Sequence, residues 1–471
     1  MYRHINDESK LGNDRFMSEA TRTLHLGQAL TPEGWRRDVR LTVRAGVIAA
    51  VEIGVPPEEG DISHAIAAPG IANLHSHAFQ RAMSGLAERR GPGDDSFWSW
   101  REAMYRFALT MSPEQMEAVA SQAYVEMLEA GYARVGEFHY LHHAPDGQAY
   151  DDVAEMSARI ASAASQTCIG LTLLPVFYAH SGFGGAPPTS AQKRFICSLE
   201  VYSRLVEGAR RVALALDGAN VGFAPHSLRA VTPFELQEVE RLAGKGPLHI
   251  HVAEQVAEVE ACLKWSSARP VEYLLDHAAI DARWCLIHAT HMTSEETQRL
   301  AGSGAVAGLC PITEANLGDG IFNATEFLGR GGRIGVGTDS NVQIALADEL
   351  RMLEYGQRLT HRARNVLAEP GGSCGRALFD AAQRGGAAAL GREPSGFRLG
   401  ADADVVTLRE PALSAIGREA DALLDAWVFS GGAYVDCVFV RGRQVVRDGA
   451  HVARKSVADR FRATMLQLLA G

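Results

Sequence analysis

Eight apolar, β-like runs, each followed by a stretch of helical periodicity, leave this chain few ways to fold. They begin at AIAAPGIANLHSH, ARVGEFHY, CIGLTLLPVFYA, VGFAPHS, LHIHVAEQ, WCLIHATH, AVAGLCPIT and RIGVGTDS. Strands that alternate with helices build a parallel sheet with the helices outside, and eight such units close into a (β/α)8 barrel of the TIM type. The intervening helices carry matching punctuation. Ser112 caps a segment whose first residue is Pro113, the apolar-periodic MEAVASQAYVEMLEA follows, and Gly131 stops it. Thr232 and Pro233 repeat that start before FELQEVERLAG. No self-similarity at a period of roughly 20 to 50 residues points to a solenoid.

The chain ends read differently. Between Thr21 and about Ala68, TLHLGQAL and DVRLTVRAGVIAAVEIG are short strands and turns, and the same texture returns as ADVVTLRE and YVDCVFVRGRQVVRDG. Both ends are expected to complete one small β-sandwich domain. Residues 17–68 supply its first part, 69–395 the barrel, and 396–471 its second part with a C-terminal helix, while 1–16 read as an N-terminal extension.

Composition narrows the ligand. A balance of 46 Lys and Arg against 56 Asp and Glu gives a net charge of −10, which disfavours nucleic acid or an anionic membrane and leaves a small molecule as the expected partner. No run approaches the roughly 18 apolar residues of a membrane span, and the first 16 residues are too polar for a signal segment, so a cytoplasmic protein is expected. The seven cysteines lie at least 23 residues apart and are odd in number, which gives neither a CxxC motif nor a disulfide framework.

The chemistry gathers at strand ends. The first run closes on His75-Ser76-His77, and residues two apart on a strand project to the same side. The fifth carries His249, His251 and Glu254, the sixth His288 and His291, and the eighth Asp339. Any one of these taken alone reads better as a structural residue, such as a core histidine bonded to a backbone carbonyl. Four strand ends aimed at the C-terminal mouth of one barrel, where such barrels keep their active sites, do not. Three His with one Asp suit Zn²⁺ with a position open for water, although Fe²⁺ or Mn²⁺ accept the same donors. Zinc lowers the pKa of bound water toward about 7, so hydrolysis is the natural reaction class. The chain has no phosphate-binding glycine loop or GxGxxG to suggest another.

These motifs resemble the amidohydrolase superfamily, whose pattern is HxH after strand one, His after strands five and six, and Asp after strand eight. The HVAE string at 251–254 resembles its mononuclear deaminase branch. ANLHSHAFQRAMSGLAER, FWSWRE, GFAPHSLRAV, HIHVAEQVAEVEACLKWSSARPVEYL, IHATH and CPITEANLGDGIFNA extend the likeness over nearly the whole chain from about Met17. The resemblance implies one Zn²⁺ on His75, His77, His251 and Asp339. It also implies hydrolysis of an amidine carried by a dicarboxylate, with release of ammonia, by a homodimer. Glu254 becomes the acid and base, with His288 and Asp339 taking the proton of the attacking water. Gln80, Tyr140 and His226 match substrate-contact positions. Two carboxylates call for guanidinium partners, for which Arg229 and Arg101 are the candidates, Arg101 on an aromatic loop at Phe97-Trp98-Ser99-Trp100.

Other residues read as structural. His249 and His291 fall to packing or supporting bonds, His142 and His143 to a solvated loop, Cys285 and Cys310 to small buried roles, and Glu88-Arg89-Arg90 to an exposed turn. Glycines at 91–93 and 182–185 are candidate hinges for a loop over the mouth. Two competing functions remain: a deaminase of a purine- or pterin-like ring, and a metal-free barrel serving as a scaffold. Replacement of Arg229 separates the first from a dicarboxylate enzyme, and a metal assay separates the second.

Overall fold

The structure is a computed structural model that describes residues 21–90, 97–409, 416–431 and 434–470. The N-terminal extension and the Gly91–Gly93 hinge lie outside the described residues. Among the described residues, seventeen strands fall into two bodies. The first four, β1 (Arg22–Thr31), β2 (Gly34–Arg44), β3 (Val47–Ile53) and β4 (Ile62–Pro69), join the last four, β14 (Val405–Leu408), β15 (Val435–Val440), β16 (Arg443–Arg447) and β17 (Ala450–His451), in one sheet ordered β17-β16-β15-β14-β4-β1-β2-β3. The seam is the antiparallel pairing of β14 with β4. The sheet curls over a single apolar cluster that holds Leu24 and Leu41 from one end of the chain and Val405 and Phe439 from the other. Its arms meet where the Arg22 guanidinium donates to the Gly442 carbonyl. The helix Arg454–Ala470 ends the described chain.

Between these strands lies the barrel: β5 (Ile71–Ser76), β6 (Tyr132–His139), β7 (Gly170–Phe177), the pair β8 (Asn220–Val221) and β9 (Ala224–Pro225), β10 (Leu248–Val252), β11 (Trp284–His288), β12 (Val306–Leu309) and β13 (Arg333–Val336). Every neighbouring pair is parallel. Bridges Phe223–Leu248 and Ser76–Asp339 close the ring. All residues of β5, β6 and β7 are buried, which accounts for their unbroken apolar text. The fourth strand departs from a single expected run. It splits into two short pieces around Gly222, where an added Cβ would stand 2.6 Å from the Leu174 side chain. The helix Cys374–Ala389 presses so closely on β13 that a Cβ at Gly385 would fall 1.8 Å from the Ile334 carbonyl oxygen.

The caps expected at Ser112 and Thr232 are present, each completing a reciprocal capping box with Gln115 and Glu235. The segment read as an aromatic loop is instead the helix Phe97–Ala108. Trp100, Arg101, Met104 and Tyr105 recur at helical spacing along it and turn toward the barrel mouth. Aromatic density hid that period in the sequence.

Candidate active site

The strand ends leave the barrel through an unusual backbone. Ala253, His288, Ala289, Asp339 and Asn341 all have positive φ, between 44° and 70°, a conformation that costs roughly 1 to 3 kcal/mol at each non-glycine residue and persists only where neighbours fix it. They are fixed. Both oxygens of Glu258 take the Ala253 and Glu254 N–H groups, at 3.3 and 3.2 Å. The Asn341 amide donates to the Ser76 hydroxyl and to the carbonyls of His77 and Asp339, each at 3.1 Å.

These turns bring His75, His77, His251 and Asp339 together, with ligand atoms all within 4.8 Å of one another. The three Nε2 atoms stand 3.1 to 3.4 Å apart, and Asp339 Oδ1 lies 3.5 and 3.3 Å from those of His75 and His77. A tetrahedral ion with bonds of about 2.0 to 2.1 Å separates its donors by about 3.3 to 3.4 Å. His77 Nδ1 donates to the Phe138 carbonyl at 2.7 Å and His251 Nδ1 to the His226 carbonyl at 3.0 Å. Their Nε2 lone pairs therefore face one another, an arrangement that a cation resolves. Burial lowers the pKa of all three imidazoles, His75 to about 3. Burial opposes ionisation of Asp339, but its bond to His75 and the surrounding histidines hold its carboxyl below the usual range. Neutral imidazoles beside an ionised carboxylate are the state a divalent metal binds. The residues fit the ion.

Glu254 Oε1 lies 3.6 Å from His288 Nε2, and Asp339 Oδ2 lies 3.7 Å from the same nitrogen. Burial pushes the Glu254 carboxyl upward. Burial acts against a charge on His288, yet Glu254, Glu314 and Asp339 outweigh it and raise its pKa to about 10. Gln80, Arg101, Tyr140, His226 and Arg229 line one cavity with His77, His251, Glu254, His288 and Asp339. Gln80 Nε2 donates to the Tyr140 hydroxyl at 3.1 Å, and the Tyr140 ring stands edge-on to His77. His226 is kept neutral by burial and by the Arg229 charge. Burial opposes the Arg229 charge, but Glu258 and Glu254 sustain it, and the buried Arg229 Nε has no hydrogen-bond partner. The Arg101 guanidinium rests 5.2 Å from the Tyr105 ring centre.

Residues set aside from the sequence fall as follows. His249 Nε2 bonds the Ala389 carbonyl and His291 Nε2 that of Asp319, both outside the ligand set. Cys285 and Cys310 are buried, and Glu88, Arg89 and Arg90 are exposed. His142 and His143 are not solvated: they are 1% and 8% exposed and bond the Val176 and Ile196 carbonyls. Their loop folds inward against Arg194, whose carbonyl takes both backbone N–H groups. The Gly182–Gly185 turn is closed by a Gly182–Ala186 bridge, with Phe183 stacked on Trp265. Sequence reasoning missed Tyr178, Phe195 and Leu317 in the cavity wall and Glu258, Glu314 and Asp319 behind it. Only the Glu254-to-Glu258 spacing, one helical turn apart, was readable in advance.

The chain belongs to the amidohydrolase family, whose sequence model matches residues 66–445. Residues 21–65 match the model described as formimidoylglutamate deiminase HutF, N-terminal domain. The chain is 49% identical to a formimidoylglutamate deiminase of Pseudomonas aeruginosa over 94% of its own length and 98% of that protein's. It is 28% identical to an 8-oxoguanine deaminase of the same organism, over 87% and 89%. Among solved structures, an amidohydrolase from Brucella melitensis superposes with a TM-score of 0.93 at 57% identity, covering 95% of this chain and all of that one. An adenosine deaminase from Xanthomonas campestris with bound zinc, 20% identical, shares the fold with a TM-score of 0.79 over 95% and 98%.

Proposed function

We propose that this chain hydrolyses N-formimidoyl-L-glutamate to N-formyl-L-glutamate and ammonia, a step of histidine degradation, with one Zn²⁺ held by His75, His77, His251 and Asp339. The observation that carries the reading is the polarity of the cavity. Arg229 and Arg101 line it together with the buried carboxylates of Glu254 and Asp339 and with His288. A substrate with two carboxylates and a basic amidine fits a lining that holds both signs of charge, and the 49% identical relative bears the matching name. The zinc ion supplies a Lewis acid that activates water at neutral pH.

The residues divide the remaining work. Arg229 pairs a substrate carboxylate through its fork of N–H groups, and Arg101, Gln80, Tyr140 and His226 orient the glutamyl part. As water attacks the formimidoyl carbon, a C–O bond forms and His288 Nε2, with Asp339 Oδ2 beside it, takes the proton released. Glu254 delivers a proton to the departing nitrogen, the C–N bond breaks, and the remaining hydroxyl returns its proton to the Glu254 carboxylate as the formyl carbonyl closes. The raised proton affinity of Glu254 suits a group that loads and unloads a proton within one cycle, and the positive charge of the ion, offsetting the carboxylates around His288, would leave that imidazole free to take one.

The relatives named for purine substrates are less similar, and a neutral ring offers the Arg229 fork no carboxylate to pair. Assaying ammonia release from N-formimidoyl-L-glutamate beside adenosine, 8-oxoguanine and a pterin, with metal content measured on the same sample, tests the reading. Release from the amidine alone is expected. Release from a ring substrate alone overturns it.

A further inference from the structure

Four carboxylates surround one imidazole at the floor of the cavity. His288 has Glu314 Oε1 at 3.2 Å, Glu254 Oε1 at 3.6 Å and Asp339 Oδ2 at 3.7 Å. A carboxylate oxygen of Asp319 lies within 4.8 Å of both Glu254 and His288 ligand atoms. Three of the four have evident tasks: Asp339 in the ligand set, Glu254 at the reacting nitrogen, and Glu314 bonding His288 Nδ1 and the Cys310 N–H. Asp319 has none.

Its placement is nevertheless tightly specified. Asp319 is 5% exposed, on the turn after the helix Pro311–Leu317. Its N–H donates to the Glu314 carbonyl, its carbonyl accepts from His291 Nε2, and its Oδ1 accepts from the amide of Gln255, the residue next to Glu254. Oδ2 is buried and has no partner. A buried carboxylate oxygen without a donor is costly unless positive charge is brought to it.

The protein's own charges do not supply it. Arg229 in the cavity wall is shared between Glu254 and Glu258, a fifth carboxylate. A divalent ion in the ligand set offsets two of the four carboxylates and the imidazole at most a third, so at least one negative charge is left over. Burial first, and Glu254 next, push the Asp319 carboxyl upward, the sign of a site short of a cation. Amidines are strong bases and reach an enzyme at neutral pH as amidinium cations, whereas amides and aminated rings arrive neutral.

We infer that Asp319 is a specificity-determining residue that completes an anionic wall for the amidinium charge of the substrate, selecting a cationic leaving nitrogen over neutral groups of the same shape. This rests on the proposed amidine hydrolysis. Asp319 acts through space from behind Glu254, and its effect depends on the charge of the ligand rather than on its outline.

Steady-state kinetics on the zinc-loaded enzyme, with N-formimidoyl-L-glutamate as substrate and N-formyl-L-glutamate as competitive inhibitor, tests this. N-formimidoyl-L-glutamate and N-formyl-L-glutamate share both carboxylates and differ in the charge at the far end. Asp319→Asn is expected to raise the KM of the first at least tenfold and the Ki of the second less than twofold. Equal losses, or no loss for either, overturn the assignment. If that variant does not fold, the exchanged pair Gln255→Glu with Asp319→Asn, which keeps one carboxylate and one amide in the wall, carries the test. It must keep the ratio of the two affinities within threefold of the parent, and collapse of that ratio overturns the assignment. Failure of the proposed function shows separately, as absence of ammonia release by the unaltered enzyme.

Discussion

Replacing Arg229 with methionine removes the one guanidinium that the cavity holds without a hydrogen-bond partner on Nε, while keeping most of the side-chain volume. Its charge is sustained by Glu258 and Glu254, and with its buried Nε unpartnered the fork is open to a substrate carboxylate. Truncating one side of a buried, hydrogen-bonded charge pair costs about 2 to 5 kcal/mol. A middle value of about 3 kcal/mol corresponds to about 150-fold in kcat/KM. Binding is made in ground and transition states alike, so the loss belongs in KM. Arg229→Lys restores the charge without the fork and should recover about half of that free energy, leaving about a tenfold defect. Steady-state ammonia release at saturating zinc reads both. An Arg229→Met enzyme within threefold of the parent refutes the reasoning, as does a kcat loss at unchanged KM.

Other consequences follow from packing and charge. His142 is held neutral by burial, its pKa lowered to about 3 from an ordinary 6.5, and His139 is lowered too. The unfolded chain takes up protons that the folded one refuses, so stability present above pH 6.5 is lost as pH falls toward 3, by about 1.4 kcal/mol per pH unit for each histidine. Urea midpoints at pH 7, 6 and 5 should fall in that order, and less steeply for His142→Gln; parallel lines speak against the burial argument. Stripping the metal removes about 3 to 4 kcal/mol of linkage when the ion is a hundred to a thousand times above its Kd; an unchanged melting temperature after chelation contradicts a site built on His75, His77, His251 and Asp339. Gly385→Ala drives a methyl into the Ile334 carbonyl and should cost about 3 kcal/mol or prevent folding, whereas an unaltered melting curve places the helix Cys374–Ala389 wrongly.

The barrel was legible because its strands are buried on both faces and end in side chains that alternate. Period two aimed His75 and His77 to one side at the end of β5, and strand order did the rest. What stayed hidden is held by the turns after the strands. Asp319 and Glu314 reach His288 only because the segment after β12 folds back over β11, and no periodicity announces that. The helix Phe97–Ala108 passed for a loop because its aromatic residues mask helical spacing. His142 and His143 were misread because two histidines after a strand look solvated until Arg194 is seen drawing their backbone inward. Local rules reach as far as an element and its caps; contacts between successive turns belong to topology.

The most direct test of the account is ammonia release from N-formimidoyl-L-glutamate by purified, zinc-loaded protein beside Glu254→Gln. The account predicts rapid release by the unaltered enzyme and at least about a hundredfold less by the variant, with one metal per chain in both and substrate affinity within threefold. Release by Glu254→Gln at the parent rate, or none by the parent with its metal in place, contradicts it.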